Sequence, residues 1–124
     1  MQPQLRGVEC LLGITRDPQI GPVMALGLGG VLVEALKDVT VRVPPISAAE
    51  ARGALDSLRG RAILSGVRGA PPADIEALAD MASRLSWLAY DLRDGIEELD
   101  LNPVLVLAEG QGAVAVDALM VALR

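Results

Sequence analysis

The chain has 124 residues, of which eleven are basic and sixteen acidic, so its formal net charge is −5 and its length suits one domain. Hydrophobic residues make up 52% of the chain, which is typical of a folded protein. The negative net charge and the presence of only one Trp and one Tyr argue against nucleic-acid binding. Because there is no histidine and a single cysteine, this chain cannot form a histidine-activated nucleophile, an imidazole zinc site, a phosphohistidine or an internal disulfide.

The first third of the sequence is predicted to form β-strands. Residues 8–14 alternate between apolar and other side chains with the period of two that a half-buried strand requires. The prolines and glycine of residues 17–22 predict a turn, and a second strand follows at 23–26. Further strands are predicted at 31–36 and 39–43.

Two helices are predicted next. Ser47 and Glu50 have the spacing of a capping box, and Gly60 is expected to end the helix that they start. The second helix is expected to start near Pro72 and to stop at Gly95. Its apolar residues step by three and four along one face and comprise Ile75, Leu78, Ala82, Leu85, Ala89 and Leu92. We expect this stripe to pack on the sheet face that carries Leu99, Leu101 and Val116, with Trp87 and Tyr90 outside it.

A hairpin closes the chain, with arms at 96–107 and 113–123. Hairpin connections around two helices predict an α+β fold. We expect an antiparallel sheet of about five to six strands with two helices packed on one face, forming a single domain over residues 1–124.

The closing hairpin also carries the sharpest chemical signal. Strand alternation places Glu98, Asp100 and Asn102 on one face. A turn centred on the 109–110 peptide would place Asp117 directly opposite Asn102, and an even loop one step longer would make them diagonal neighbours on the same face. An odd loop would put Asp117 on the other face. Three carboxylates and one amide oxygen would then converge and suit a hard cation such as Mg²⁺ or Mn²⁺. The alternative is a solvated acidic sheet face.

A second candidate is the glycine cluster, in which the backbone N–H groups of Gly27, Gly29 and Gly30 could bind nucleotide phosphate. The cluster lacks the ending of a P-loop, and a tight turn between strands is the alternative. No catalytic residue is predicted, since Ser47 and Ser65 have no base to activate them.

Taken in order, six segments resemble one known family. They are residues 7–18, 21–24, 27–34, 66–69, 98–104 and 115–118. Together they resemble the ATP-grasp domain of NDP-forming acyl-CoA synthetases, the acetate–CoA ligase (ADP-forming) type related to the succinyl-CoA synthetase β subunit. The resemblance covers essentially all of the chain.

This resemblance implies an enzyme that makes acyl-CoA from an acid, CoA and ATP through an acyl phosphate and a phosphohistidine carried elsewhere. It implies that Asn102 and Asp117 bind Mg²⁺ (or Mn²⁺) beside ATP or ADP. Asp100, two residues before the asparagine, matches a position linked to phosphoryl transfer, and we include it in the predicted metal set.

The sequence shows only part of the family pattern. We expect it to be the C-terminal ATP-grasp lobe of a longer chain, whose partners are the missing N-terminal lobe and CoA-binding domains. The isolated lobe is expected to be inactive, to bind Mg-ATP weakly and to form a homodimer. The alternative is a non-catalytic regulatory or assembly module, for example fused to a protein acetyltransferase. Without a signal-peptide pattern or a long apolar run, the sequence predicts a cytoplasmic protein that binds no membrane.

Overall fold

The computed structural model describes residues 7–29, 38–66 and 69–123. The six strands of these residues are β1 (Val8–Asp17), β2 (Gly21–Leu28), β3 (Val39–Arg42), β4 (Ile96–Val106), β5 (Ala113–Ala115) and β6 (Ala118–Ala122). The three helices are α1 (Ala48–Asp56), α2 (Arg61–Leu64) and α3 (Ile75–Asp91). The strand predicted at 31–36 lies outside the described residues.

All strand pairs are antiparallel, and the sheet order is β3-β2-β1-β4-β5, with β6 also paired to β4. β5 and β6 follow each other along the same edge of β4, where the sequence predicted one continuous arm. The six strands and the helices confirm the predicted α+β class.

One face of the sheet packs into the hydrophobic core. Cys10, Leu12 and Ile14 of β1 are at most 1% exposed, and their register partners in β2 are also buried. α1 and α3 pack against each other and against this side of the sheet, which we call the covered face. Burial raises the pKa of the Cys10 thiol to about 12, so this cysteine is a small core residue rather than a reactive thiol.

The helix starts follow local capping chemistry. The Ser47 hydroxyl accepts the Glu50 backbone N–H at 3.0 Å, and the Glu50 carboxylate accepts the Ser47 N–H at 3.3 Å, which confirms the capping box. The predicted end at Gly60 is wrong, because α1 stops at Asp56 and a turn leads into the short helix α2. The buried carboxylate of Asp38 stabilises this turn by accepting the N–H groups of residues 59 and 60.

The apolar stripe of α3 is largely as predicted. Its buried members include Leu78, Ala82, Leu85 and Ala89. Trp87 and Tyr90 lie outside the stripe and are 51% and 38% exposed. Two details are wrong. Leu92 is exposed because α3 ends at Asp91, before the predicted stop at Gly95, and Val116 is exposed because it lies between β5 and β6 rather than under the helix. Among the described residues, no helix is long and apolar enough to cross a bilayer.

Candidate metal site

The register of the closing hairpin decides whether the predicted site exists. Val106 pairs with Ala113, and Asp100 pairs with Leu119, so the turn is centred on the 109–110 peptide. The Asn102 N–H donates to the Asp117 carbonyl oxygen at 3.2 Å. Asn102 therefore lies directly opposite Asp117, which is one of the two arrangements that the metal prediction allowed.

A side chain from outside the hairpin holds this turn in place. Asp74 precedes α3, and its Oδ1 accepts the Ala77 N–H at 3.2 Å as a helix cap. Its Oδ2 accepts the N–H groups of Gly110 and Gly112 at 3.1 and 2.8 Å, and both glycines have a positive φ. One carboxylate thus joins the start of α3 to the turn that sets the register. This role of Asp74 was not predicted, because the helix was expected to start near Pro72.

A bulge in β4 shapes the strand at the site. Cys10 pairs with Val104 and Leu12 with Leu101, so Asn102 and Pro103 together face a single residue of β1. The extra residue returns Val104 to the covered face after Asn102 has turned away from it. The bulge therefore keeps the core continuous beside a polar stretch.

The predicted metal residues come together on the opposite side of the sheet, which we call the open face. Asp100, Asn102 and Asp117 line a shallow depression of about 210 Å³, together with Ala118 and Leu119. Asn102 and Asp117 are exposed, and Asp100 is half-buried. The polar side-chain atoms of this trio include carboxylate and amide oxygens, the ligand type that Mg²⁺ and Mn²⁺ prefer.

Asp100 has an unusual electrostatic environment. Partial burial, a hydrogen bond with Glu98 and repulsion by that neighbouring acid raise the pKa of Asp100 to about 6. A nearby cation has the opposite effect on a carboxyl pKa, because it favours the ionised form. Without a cation, burial and the neighbouring Glu98 thus disfavour the ionised form of Asp100.

The predicted convergence of three carboxylates is wrong in one respect. In the described part of the chain, no three His, Cys, Asp or Glu side chains are grouped so that they could hold a metal. Glu98 is two residues from Asp100 along β4 and has Val121 as its register partner, so it lies away from Asp117. The depression therefore offers two carboxylates and one amide, and Glu98 acts on Asp100 alone.

Two of the three glycines of the predicted phosphate cradle have structural roles among the described residues. Gly27 is inside β2 rather than in a turn, and an added Cβ would lie 2.8 Å from the Asp38 carbonyl oxygen. The Gly29 N–H already donates to the Glu9 carbonyl oxygen at 2.8 Å. Gly30 lies outside the described residues. Close approach of neighbouring backbone accounts for Gly27.

A larger groove of about 780 Å³ lies among the helices. Its arginines include Arg52, Arg59 and Arg61, and its acids include Asp56 and Glu76. Arg52 forms ion pairs with Asp56 and Glu76, and Asp74 and Glu109 also line the groove, so its positive charge is matched by carboxylates. This balance of charged side chains is not that of an anion-binding site.

Comparisons with known proteins identify the family of the chain. A family model described as the ATP-grasp domain matches residues 1–122. The β subunit of acetate–CoA ligase (ADP-forming) II from Pyrococcus furiosus is 50% identical over 117 residues, covering 94% of this chain and 50% of that protein. The 4-hydroxybutyrate–CoA ligase (ADP-forming) from Nitrosopumilus maritimus is 43% identical over 111 residues, covering 90% of this chain and 16% of that protein.

A solved structure gives the same relationship. The dinucleotide-forming acetyl-coenzyme A synthetase 1 of Ca. Korarchaeum cryptofilum, in complex with coenzyme A and Mg-AMPPCP, has a TM-score of 0.88 and 38% identity. The match covers 97% of this chain and 55% of that one. The chain thus spans about half the length of the Pyrococcus and Korarchaeum proteins.

Proposed function

The chain belongs to the ATP-grasp family, and we propose that it is the Mg-nucleotide-binding lobe of an ADP-forming acid–CoA ligase. The observation that carries this proposal is the pairing of Asn102 with Asp117 across the hairpin, with Asp100 in the same depression. The ligase relatives and the Mg-nucleotide in the Korarchaeum structure support it.

The residues present fit a divalent cation of the magnesium type. Asp100 and Asp117 contribute two negative charges, which balance a dication, and Asn102 contributes a neutral amide oxygen. A shallow, exposed site leaves room for water and for phosphate oxygens, which Mg²⁺ commonly retains among its ligands. When bound, the ion supplies positive charge next to the phosphates of the nucleotide.

The protein itself holds the cation ligands in position. Backbone pairing between β4 and β6 fixes the spacing of Asn102 and Asp117, and Asp74 holds the turn that sets this pairing. Phosphoryl transfer depends mainly on positioning and charge stabilisation, so a rigid sheet is a suitable base for these ligands. The acid, CoA and the phosphorylated carrier would be handled outside this lobe.

We further propose that the lobe works with a companion ATP-grasp lobe and with CoA-binding domains. As formed by the described residues, the depression is open to solvent. Ligand sites usually bury most of their ligand between two walls, and this lobe provides one of them. By itself the lobe would therefore bind Mg-ATP weakly, with a Kd of about a millimolar or more.

Substitutions at the two paired residues test this function in the assembled enzyme. We expect Asp117→Asn and Asn102→Ala each to lower acyl-CoA formation by about 100-fold or more, since each removes a ligand that stabilises transition-state charge. Glu97→Gln is the matched control, because Glu97 is exposed on β4 and lies outside the depression. Normal turnover of either site variant at saturating Mg²⁺ would contradict the proposal.

A further inference from the structure

Gly13 lies at the centre of β1, directly beside the candidate metal site. Its register partners are Asp100 in β4 and Ala25 in β2. An added Cβ at Gly13 would lie 2.7 Å from Oδ1 of Asp100 and 3.8 Å from its Cγ, and apart from its two chain neighbours no other atom of the described residues lies within 4 Å. The Asp100 carboxylate therefore occupies the space that any side chain at position 13 would need.

The surrounding row of side chains explains how this space arises. Directly paired residues cross the open face in the order Val41, Ala25, Gly13, Asp100 and Leu119. Directly opposed side chains in an antiparallel sheet have their Cβ atoms about 5 Å apart and contact each other. Side chains become smaller from Val41 through Ala25 to Gly13, so the Asp100 carboxylate lies over a backbone position that carries no side chain.

Backbone conformation does not account for this glycine. Gly13 is regular strand within β1, and it is not one of the glycines with a positive φ. A glycine inside a strand weakens that strand relative to alanine, because it loses more conformational freedom and packs no side chain. The Asp100 carboxylate is instead the group that a side chain at position 13 would meet.

We propose that Gly13 is a positioning residue for the metal site, holding Asp100 in the depression by leaving β1 bare beneath its carboxylate. This inference rests on the proposed function, because it assumes that Asp100, Asn102 and Asp117 share one cation. Gly13 does not contact the cation itself. A methyl group at position 13 displaces the carboxylate away from its place beside Asn102 and Asp117.

Metal titration of the chain with the substitution Gly13→Ala tests this role. With Mn²⁺ as the probe and free Mn²⁺ measured by electron paramagnetic resonance, we expect the Kd to rise by about tenfold. We expect unfolding free energy to be unchanged or higher, because alanine is the better strand residue and the displaced atom is the end of a flexible side chain. Gly53→Ala is the matched control, since no neighbouring atom lies within 4 Å of its added Cβ.

A double-mutant cycle separates this role from a general effect on the sheet. In an Asp100→Ala background, Gly13→Ala is expected to cause no further change in the Kd for Mn²⁺, because the displaced carboxylate is gone. Equal loss of affinity in both backgrounds would overturn the inference.

Asp117→Asn distinguishes failure of the inference from failure of the proposed function. If Asp117→Asn weakens Mn²⁺ binding and Gly13→Ala does not, the metal site stands and the role of Gly13 is wrong. If neither substitution changes the Kd, the metal site is wrong and the inference fails with it.

Discussion

The covered face and the open face of the sheet are built from alternate residues of the same strands, but they differ in what they contribute. On β1, Leu12 is 1% exposed beneath the helices, while its neighbour Gly13 leaves room for a carboxylate on the other side. On β4, Leu99 is buried and Asp100 lines the depression. The covered face therefore contains the core that stabilises the fold, and the open face carries the residues that we propose bind the cation.

Truncating a leucine on each face is the strongest way to break this comparison. We expect Leu12→Ala to lower the unfolding free energy by about 2–5 kcal/mol, because it leaves a cavity in the core. Leu119→Ala, at a site that is 54% exposed, should cost less than about 1 kcal/mol. Chemical denaturation of both variants provides the measurement. Equal losses would show that the open face also supports the fold.

Asp74 connects α3, on the covered face, to the turn of the closing hairpin that carries the site. We expect its removal to have the next largest effect on stability. We expect Asp74→Ala to lower the unfolding free energy by about 2 kcal/mol, because it deletes a helix cap and two hydrogen bonds to the turn. The same variant should weaken Mn²⁺ binding, since the turn sets the pairing of Asn102 with Asp117. A large loss of stability with unchanged metal affinity would show that the register survives without this carboxylate.

Ser47→Ala gives a smaller effect and is the counterpart of Asp74→Ala, because its cap does not touch the site. We expect a loss of about 1 kcal/mol in unfolding free energy, from the hydrogen bond to Glu50 N–H. Affinity for Mn²⁺ should be unchanged. A change in affinity similar to that of Asp74→Ala would mean that the metal site responds to overall stability rather than to the turn.

Much of the fold could be predicted because its signals are local. Period-two alternation predicted β1, the Ser47–Glu50 spacing predicted the cap of α1, and the apolar stripe predicted the buried side of α3. The hairpin was also predicted, although its register was left open, and the pairing of Asn102 with Asp117 was one of the registers considered. In each case the pattern acts over a few residues, so it can be recognised without knowing the tertiary contacts.

The missed features depend on contacts between distant parts of the chain. Asp74 bonds to glycines 36 and 38 residues away, and Gly13 faces Asp100 only after β1 has paired with β4. The end of α1 depends on Asp38, which is about twenty residues earlier. An aspartate before an apolar stripe is a recognisable cap, so the start of α3 could have been predicted from sequence. The pairing of Gly13 with Asp100 has no such local sign.

The most direct test of the account is to locate a bound cation on the chain itself. In nuclear magnetic resonance spectra of the ¹⁵N-labelled protein, small amounts of Mn²⁺ broaden the amide signals nearest to its binding site. We predict that the amides of Asn102, Asp117 and Ala118 broaden first, and that Asp117→Asn removes this effect. Broadening centred on other acids, such as Asp91 and Asp94, or an unchanged pattern in Asp117→Asn, would contradict the assignment of the open face as the metal site.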